Sequence, residues 1–282
     1  MKKNAIGNHY VRMADKDIPV HFDGYAGDVM PYLEKMRAAV ELFTPDEQAL
    51  MAHHLNKIVI RKPVFDILMR RGGYYDSRRG IVMAKAVGTA SAGKSITDPF
   101  KDDFKAIVSH ELNHVLIDPA GKALKDSSAA FEEARNAVCQ RLESIPQVRE
   151  NIQELLDAHR AEIYRNNPLG HDMLYELSIP KNRWQSVEPQ NKQQFMAMLG
   201  FMLKDSYYLG HYDNRKIQSE ILCNLKALAS VYGKEAVAEY APELLHCQDE
   251  AVRRSKLEHV PLEDKAPHGI LKYFRKASLQ ER

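Results

Sequence analysis

The sequence predicts an α+β fold in which a small sheet with a hairpin precedes a mostly helical body. Three observations carry this expectation. Runs rich in β-branched and aromatic residues cluster between Lys57 and Val87. From Asp102 nearly to the end, apolar residues recur at the i, i+3, i+4 spacing of buried helix faces. No internal repeat, low-complexity tract or long linker divides the 282 residues, a length that suits one large domain or two small ones.

Residues 1–28 are polar and Gly-rich with little periodicity. Met30, Leu33, Met36, Ala39, Val40 and Phe43 then follow helical spacing, and Thr44-Pro-Asp-Glu supplies a cap, a first-turn proline and acidic residues for a second helix ending near Leu55. Lys57-Ile-Val-Ile-Arg-Lys reads as a strand, and a short helical stretch after Pro63 reaches Arg70. Two β-like runs, Gly73–Asp76 and Gly80–Val87, flank Ser77-Arg-Arg as a hairpin. Helices are expected over about 102–117, 128–145, 147–165, 190–204, 215–232 and 234–246, with loops at 118–127, 166–189 and 205–214. The organisation expected is an N-terminal helical segment (1–56) packed on a catalytic domain (57–250), followed by a basic tail (251–282) that includes Lys272-Tyr-Phe-Arg-Lys.

Composition narrows the function classes. Forty basic residues against 38 acidic ones leave a formal charge of +2, so no global field points to nucleic acid or an anionic membrane. Three cysteines, Cys139, Cys223 and Cys247, show no CxxC spacing and suggest a reducing compartment. No apolar run reaches the roughly 18 residues of a membrane span, and none follows Lys2 and Lys3 as a signal peptide would require. The expected location is the cytoplasm, or outside the cell by a route without a cleaved signal.

The chemistry-bearing motif is His110-Glu-Leu-Asn-His114. Residues four apart share a helix face, so both imidazoles can meet one metal, and Glu111 lies about 100° further round. Phe104, Ile107, Val108, Leu112, Val115 and Leu116 give this helix buried flanks. One zinc ion with three protein ligands and an open position lowers the pKa of its water, and Glu111 is placed to accept the proton. That pattern predicts a zinc metallopeptidase, with a protein or peptide as substrate. The preceding hairpin adds a sheet edge on which a peptide can lie, with Tyr74, Tyr75 and Ile81–Ala84 as candidates.

Two glutamates compete for the third ligand position. Glu133 follows His114 after 18 residues, the HExxH-x18-E spacing of gluzincins such as the family-one aminopeptidases, although their GxMEN-type strand motif is absent. Glu220 lies at the margin of a stripe formed by Ile217, Ile221, Leu225 and Leu228, with Asn224 beside it, where a carboxylate without a cation is costly to desolvate. The metzincin pattern is excluded, because position 117 is not glycine and position 120 is not histidine. His53, His54, His171, His246 and His259 have no ligand-like spacing to the motif.

Tyr212, Glu220 and, some twenty residues on, Ala241-Pro242 resemble the end of the anthrax lethal factor type of zinc peptidase. The resemblance covers the His-Glu-Leu-Asn-His helix, this segment and loosely the hairpin. It implies a zincin-like fold, Glu220 as zinc ligand and Tyr212 as oxyanion stabiliser, with one residue more between the two than in that family. Tyr207, Tyr208 and His211 are alternates for the tyrosine. The stretch from His114 to Tyr212 is longer than in lethal factor. The resemblance also implies a bacterial effector or toxin acting on a host protein.

A rival motif is Gly88-Thr-Ala-Ser-Ala-Gly-Lys-Ser95, which matches the phosphate-binding loop pattern after a strand. Pro99 falls five residues after Lys94, where the phosphate-binding helix would have to run. A small-residue loop between hairpin and motif helix is the preferred reading, with nucleotide binding as the alternative from a different class.

Overall fold

Alternating burial along each strand builds the sheet. In β1 (His9–Met13), Val11 and Met13 are buried while Tyr10 is exposed; β2 (Lys16–Asp23) buries Ile18 and Val20, and β3 (Lys57–Arg61) buries Ile58 and Ile60. A period of two places these side chains on one face. The hairpin strands β4 (Gly73–Asp76) and β5 (Ile81–Lys85) complete a five-stranded mixed sheet in the order β1-β2-β3-β5-β4. β2, β3 and β5 run parallel, and β1 and β4 are antiparallel to their neighbours. The computed structural model describes residues 9–23, 28–61, 73–85, 104–166, 192–204 and 214–258.

The strands β1 and β2 correct the reading of residues 1–28 as aperiodic and of the segment to residue 56 as helical. Their outward positions carry Tyr10, Arg12, Asp17 and His21, so a half-buried ribbon looks polar when only its composition is weighed. The hairpin follows the expectation, with Gly73 opposite Ala84 and Asp76 opposite Ile81. Gly80 closes its turn at φ +63°, where a Cβ would lie 2.5 Å from the His54 carbonyl oxygen, so glycine is required twice over.

Helices cover the sheet's apolar face. α1 (Met30–Val40) buries Tyr32, Leu33, Met36, Ala39 and Val40. α2 (Pro45–His54) starts with a complete capping box: Glu47 N–H donates to Thr44 Oγ1 at 3.2 Å, and Thr44 N–H donates to Glu47 Oε2 at 2.8 Å. The body comprises α3 (Phe104–Ile117), α4 (Gly121–Asp126), α5 (Ser128–Glu143), α6 (Pro146–Asn166), α7 (Lys192–Lys204), α8 (Asn214–Tyr232), α9 (Lys234–Tyr240) and α10 (Pro242–Glu258). Three boundaries differ from expectation. The helix expected over 234–246 breaks at Ala241, before Pro242. α4 occupies the expected loop at 118–127. α10 runs past 246 and through residue 251, because Gln248 and Ser255 are buried among Leu244, Ala251 and Val252 and interrupt the apolar periodicity.

α3 is the central element. It packs along α8 and touches α1, α2, β4 and β5, so it lies between the sheet and the helical body. Phe104, Leu112, Val115 and Leu116 are fully buried on it. Asn113 donates to the Leu222 carbonyl at 3.1 Å and exchanges hydrogen bonds of 3.2 Å with Gln248. Gln248 also donates to Glu47 Oε1 at 3.4 Å, and Glu47 pairs with Lys226 at 3.3 Å. This chain of satisfied buried polar groups ties α3 to α10, α2 and α8 and fixes the helix's rotation. No described helix is long and apolar enough to cross a membrane.

Candidate metal centre

One helical turn separates His110 from His114, and their ring centroids are 4.9 Å apart with the Nε2 atoms at 3.2 Å. α8 brings Glu220 to the same point, its Oε2 lying 3.4 Å from His110 Nε2 and 3.9 Å from His114 Nε2. Zinc bonds of about 2.0–2.1 Å in a tetrahedron require donor atoms about 3.3 Å apart. The three observed edges bracket that spacing. The donor set therefore fits one small divalent cation.

The outer nitrogens are already engaged. His110 Nδ1 lies 2.9 Å from Asn224 Oδ1, a bond in which the ring nitrogen donates and Nε2 keeps its lone pair for the centre. His114 Nδ1 lies 3.2 Å from Asp118 Oδ1 and 3.3 Å from Ser219 Oγ, whose hydroxyl donates to Asp118 at 3.3 Å. Such outer partners set ring orientation and tautomer at metal sites. The helical period generates them: Asp118 follows His114, and Asn224 follows Glu220, by four residues.

The electrostatics favour a cation. Burial pushes the His110 pKa down, but the hydrogen bond to Glu220, the charges of Glu111 and Glu220 and the bond to Asn224 outweigh it and raise the value to about 9. Glu111 is 6% exposed, and burial holds its carboxyl above the ordinary glutamate value, opposed by the two imidazoles. The raised value means that the metal-free centre favours a proton on the His110 ring, whose Nε2 faces Glu220 and His114. A folded-state histidine pKa above the unfolded value of about 6.5 adds stability below that pH, and this is lost as pH rises through about 9. The raised Glu111 pKa acts in the same direction. The metal-free protein should therefore melt at a lower temperature at pH 9 than at pH 6.5 in a thermal scan with chelator. Saturating zinc should weaken or reverse that trend, because zinc requires the deprotonated ring.

The sheet edge meets the centre at Gly73. A Cβ there would lie 2.7 Å from Glu111 Cγ, 2.8 Å from Glu111 Oε1 and 2.6 Å from the Met83 carbonyl oxygen. Only glycine lets β4 approach Glu111 this closely. Gly73→Ala should cost about 1–3 kcal/mol in urea denaturation, and should displace Glu111. Tyr75 pairs with Val82 and shares Gly73's sheet face, towards α3, whereas Tyr74 points to the other face. The Tyr75 hydroxyl is pushed up to about 12 by burial and by the charges of Asp118 and Asp76.

Of the residues expected from sequence, His110, Glu111, His114 and Glu220 come together. Glu133 is exposed on α5 and is not among the groups gathered around the histidine pair. Tyr212 and its alternates Tyr207, Tyr208 and His211, like the loop Gly88–Ser95 with Lys94, lie outside the described residues. Sequence reasoning missed Asp118, Ser219 and Cys223 as members of the centre and gave Asn224 no partner. Cys223 is fully buried, and its Sγ and one ring nitrogen from each histidine lie within 4.8 Å of one another. Glu220 Oε2 lies 3.4 and 3.9 Å from the two Nε2 atoms, so Glu220 and Cys223 are both placed as donors beside the histidine pair. Compared with known proteins, the chain matches no family model, no curated protein and no solved structure.

Proposed function

We propose that the chain is a zinc-dependent endopeptidase of the zincin type, with His110, His114 and Glu220 holding one zinc ion and Glu111 as general base. The observation that carries the reading is the convergence of His110 Nε2, His114 Nε2 and Glu220 Oε2 at 3.2, 3.4 and 3.9 Å, the first two close to a tetrahedral edge, with both outer imidazole nitrogens engaged elsewhere. Zinc bound there would lower the pKa of a water at its open position and polarise the substrate carbonyl. Glu111, buried beside the histidines and raised in pKa, is suited to take the proton of the attacking water and return it to the leaving amine. Asn224 and Asp118 keep the two rings aimed.

A peptide is the substrate class best supported, because β4 ends the sheet and its outer edge has no strand partner among the described residues. An extended peptide paired with that edge would cross beside Gly73 and Glu111. The resemblance to the lethal factor type supports Tyr212 as oxyanion donor and a secreted effector acting on a host protein. The gluzincin alternative through Glu133 is disfavoured by that residue's exposure on α5.

Metal analysis tests the reading. Wild type and Glu111→Ala should each retain about one zinc per chain after dialysis, and His110→Ala should lose it. Wild-type protein that stays metal-free after zinc addition would contradict the proposal.

A further inference from the structure

We infer that Cys223 is a fourth protein donor, whose thiolate closes the metal centre in its resting state. This rests on the zinc reading above and concerns the regulation of that same centre. Cys223 lies one turn after Glu220 on α8, so both point towards α3 from one side of that helix. Its sulfur is fully buried, and Sγ, one His110 nitrogen and one His114 nitrogen lie within 4.8 Å of one another. Cys223 is unpaired with any other cysteine.

With zinc bonds of about 2.0 Å to nitrogen and about 2.3 Å to sulfur, a tetrahedral nitrogen-sulfur edge measures about 3.5 Å. From the widest separation allowed by the present geometry, the sulfur needs to close by about 1.3 Å, a displacement within reach of a rotation about the Cys223 Cα–Cβ bond. As the sulfur–metal bond would form, the S–H bond breaks and its proton passes by way of a neighbouring carboxylate such as Glu111 to solvent, with no change of oxidation state. Two imidazoles, a carboxylate and a thiolate fill a tetrahedron and leave no position for water. With all four positions filled, a water or a peptide carbonyl could reach the metal only in place of the thiolate. A thiolate also shifts the centre's preference towards soft, thiophilic cations.

Cobalt(II) substitution of the full-length chain is the test. With cobalt bound, wild type should show a near-ultraviolet thiolate-to-cobalt charge-transfer band together with the visible bands of a tetrahedral ion. Cys223→Ser should lose the near-ultraviolet band and keep the visible ones, and Cys139→Ser should keep both. If Cys223→Ser does not fold, a band kept in both Cys139→Ser and Cys247→Ser still assigns the thiolate to Cys223. Cobalt bound to wild type without the charge-transfer band overturns the inference and leaves the zinc reading standing. Failure to bind cobalt or zinc at all overturns both.

Discussion

Glu111→Gln is expected to lower kcat by about 10²–10⁴-fold while leaving zinc content and fold intact. The side chain is buried on α3 beside the histidine pair, and Gly73 leaves room for it against β4. Glutamine keeps the shape but cannot accept a proton, so on the proposed mechanism the substitution removes the general base and little else. KM should change far less than kcat, because the proposed role is on the attacking water rather than on bound peptide. Zinc measured in the same preparation separates this outcome from loss of the metal. Parallel loss of zinc and activity would instead assign Glu111 to the ligand shell.

Glu220→Ala carries the second large effect, on the metal itself. Its carboxylate supplies one of three converging donors and part of the negative charge that raises His110. Zinc affinity should fall by more than the roughly 10–100-fold expected when an outer partner such as Asn224 is replaced by alanine. In the metal-free protein the same substitution should lower the His110 pKa, and an NMR titration of the imidazole would read that directly. Glu133→Gln should change neither quantity, because Glu133 is exposed on α5. Competition with a chromophoric chelator, run on Glu220→Ala, Asn224→Ala and Glu133→Gln, would rank the three.

The legible parts of this chain were those with local signals. Thr44 and Glu47 form their capping box from neighbours three residues apart, and the hairpin around Ser77–Gly80 is set by its own turn. The helix with His110 and His114 follows from an i, i+4 spacing on an apolar scaffold. Glu220 was accessible because a carboxylate at the margin of a buried stripe requires a partner, although its meeting with α3 is long-range.

What stayed hidden depended on tertiary context. β1 and β2 gain their stability by pairing with each other and with β3, so neither reads as a strand from composition alone. Asn113 and Gln248 look like surface residues until each is seen to satisfy the other inside the core. Cys223 has no cysteine or histidine at ligand spacing in the sequence, only Glu220 one turn before it; the packing of α8 on α3 is what brings it near the histidines.

The most direct test of the central claim is to map new peptide termini by mass spectrometry in cell lysate treated with zinc-loaded protein. Wild type should generate a defined set of termini that is abolished by chelator, restored by zinc and absent with Glu111→Ala. Identical termini from wild type and Glu111→Ala, with zinc verified in both, would contradict the assignment of this centre as a peptidase.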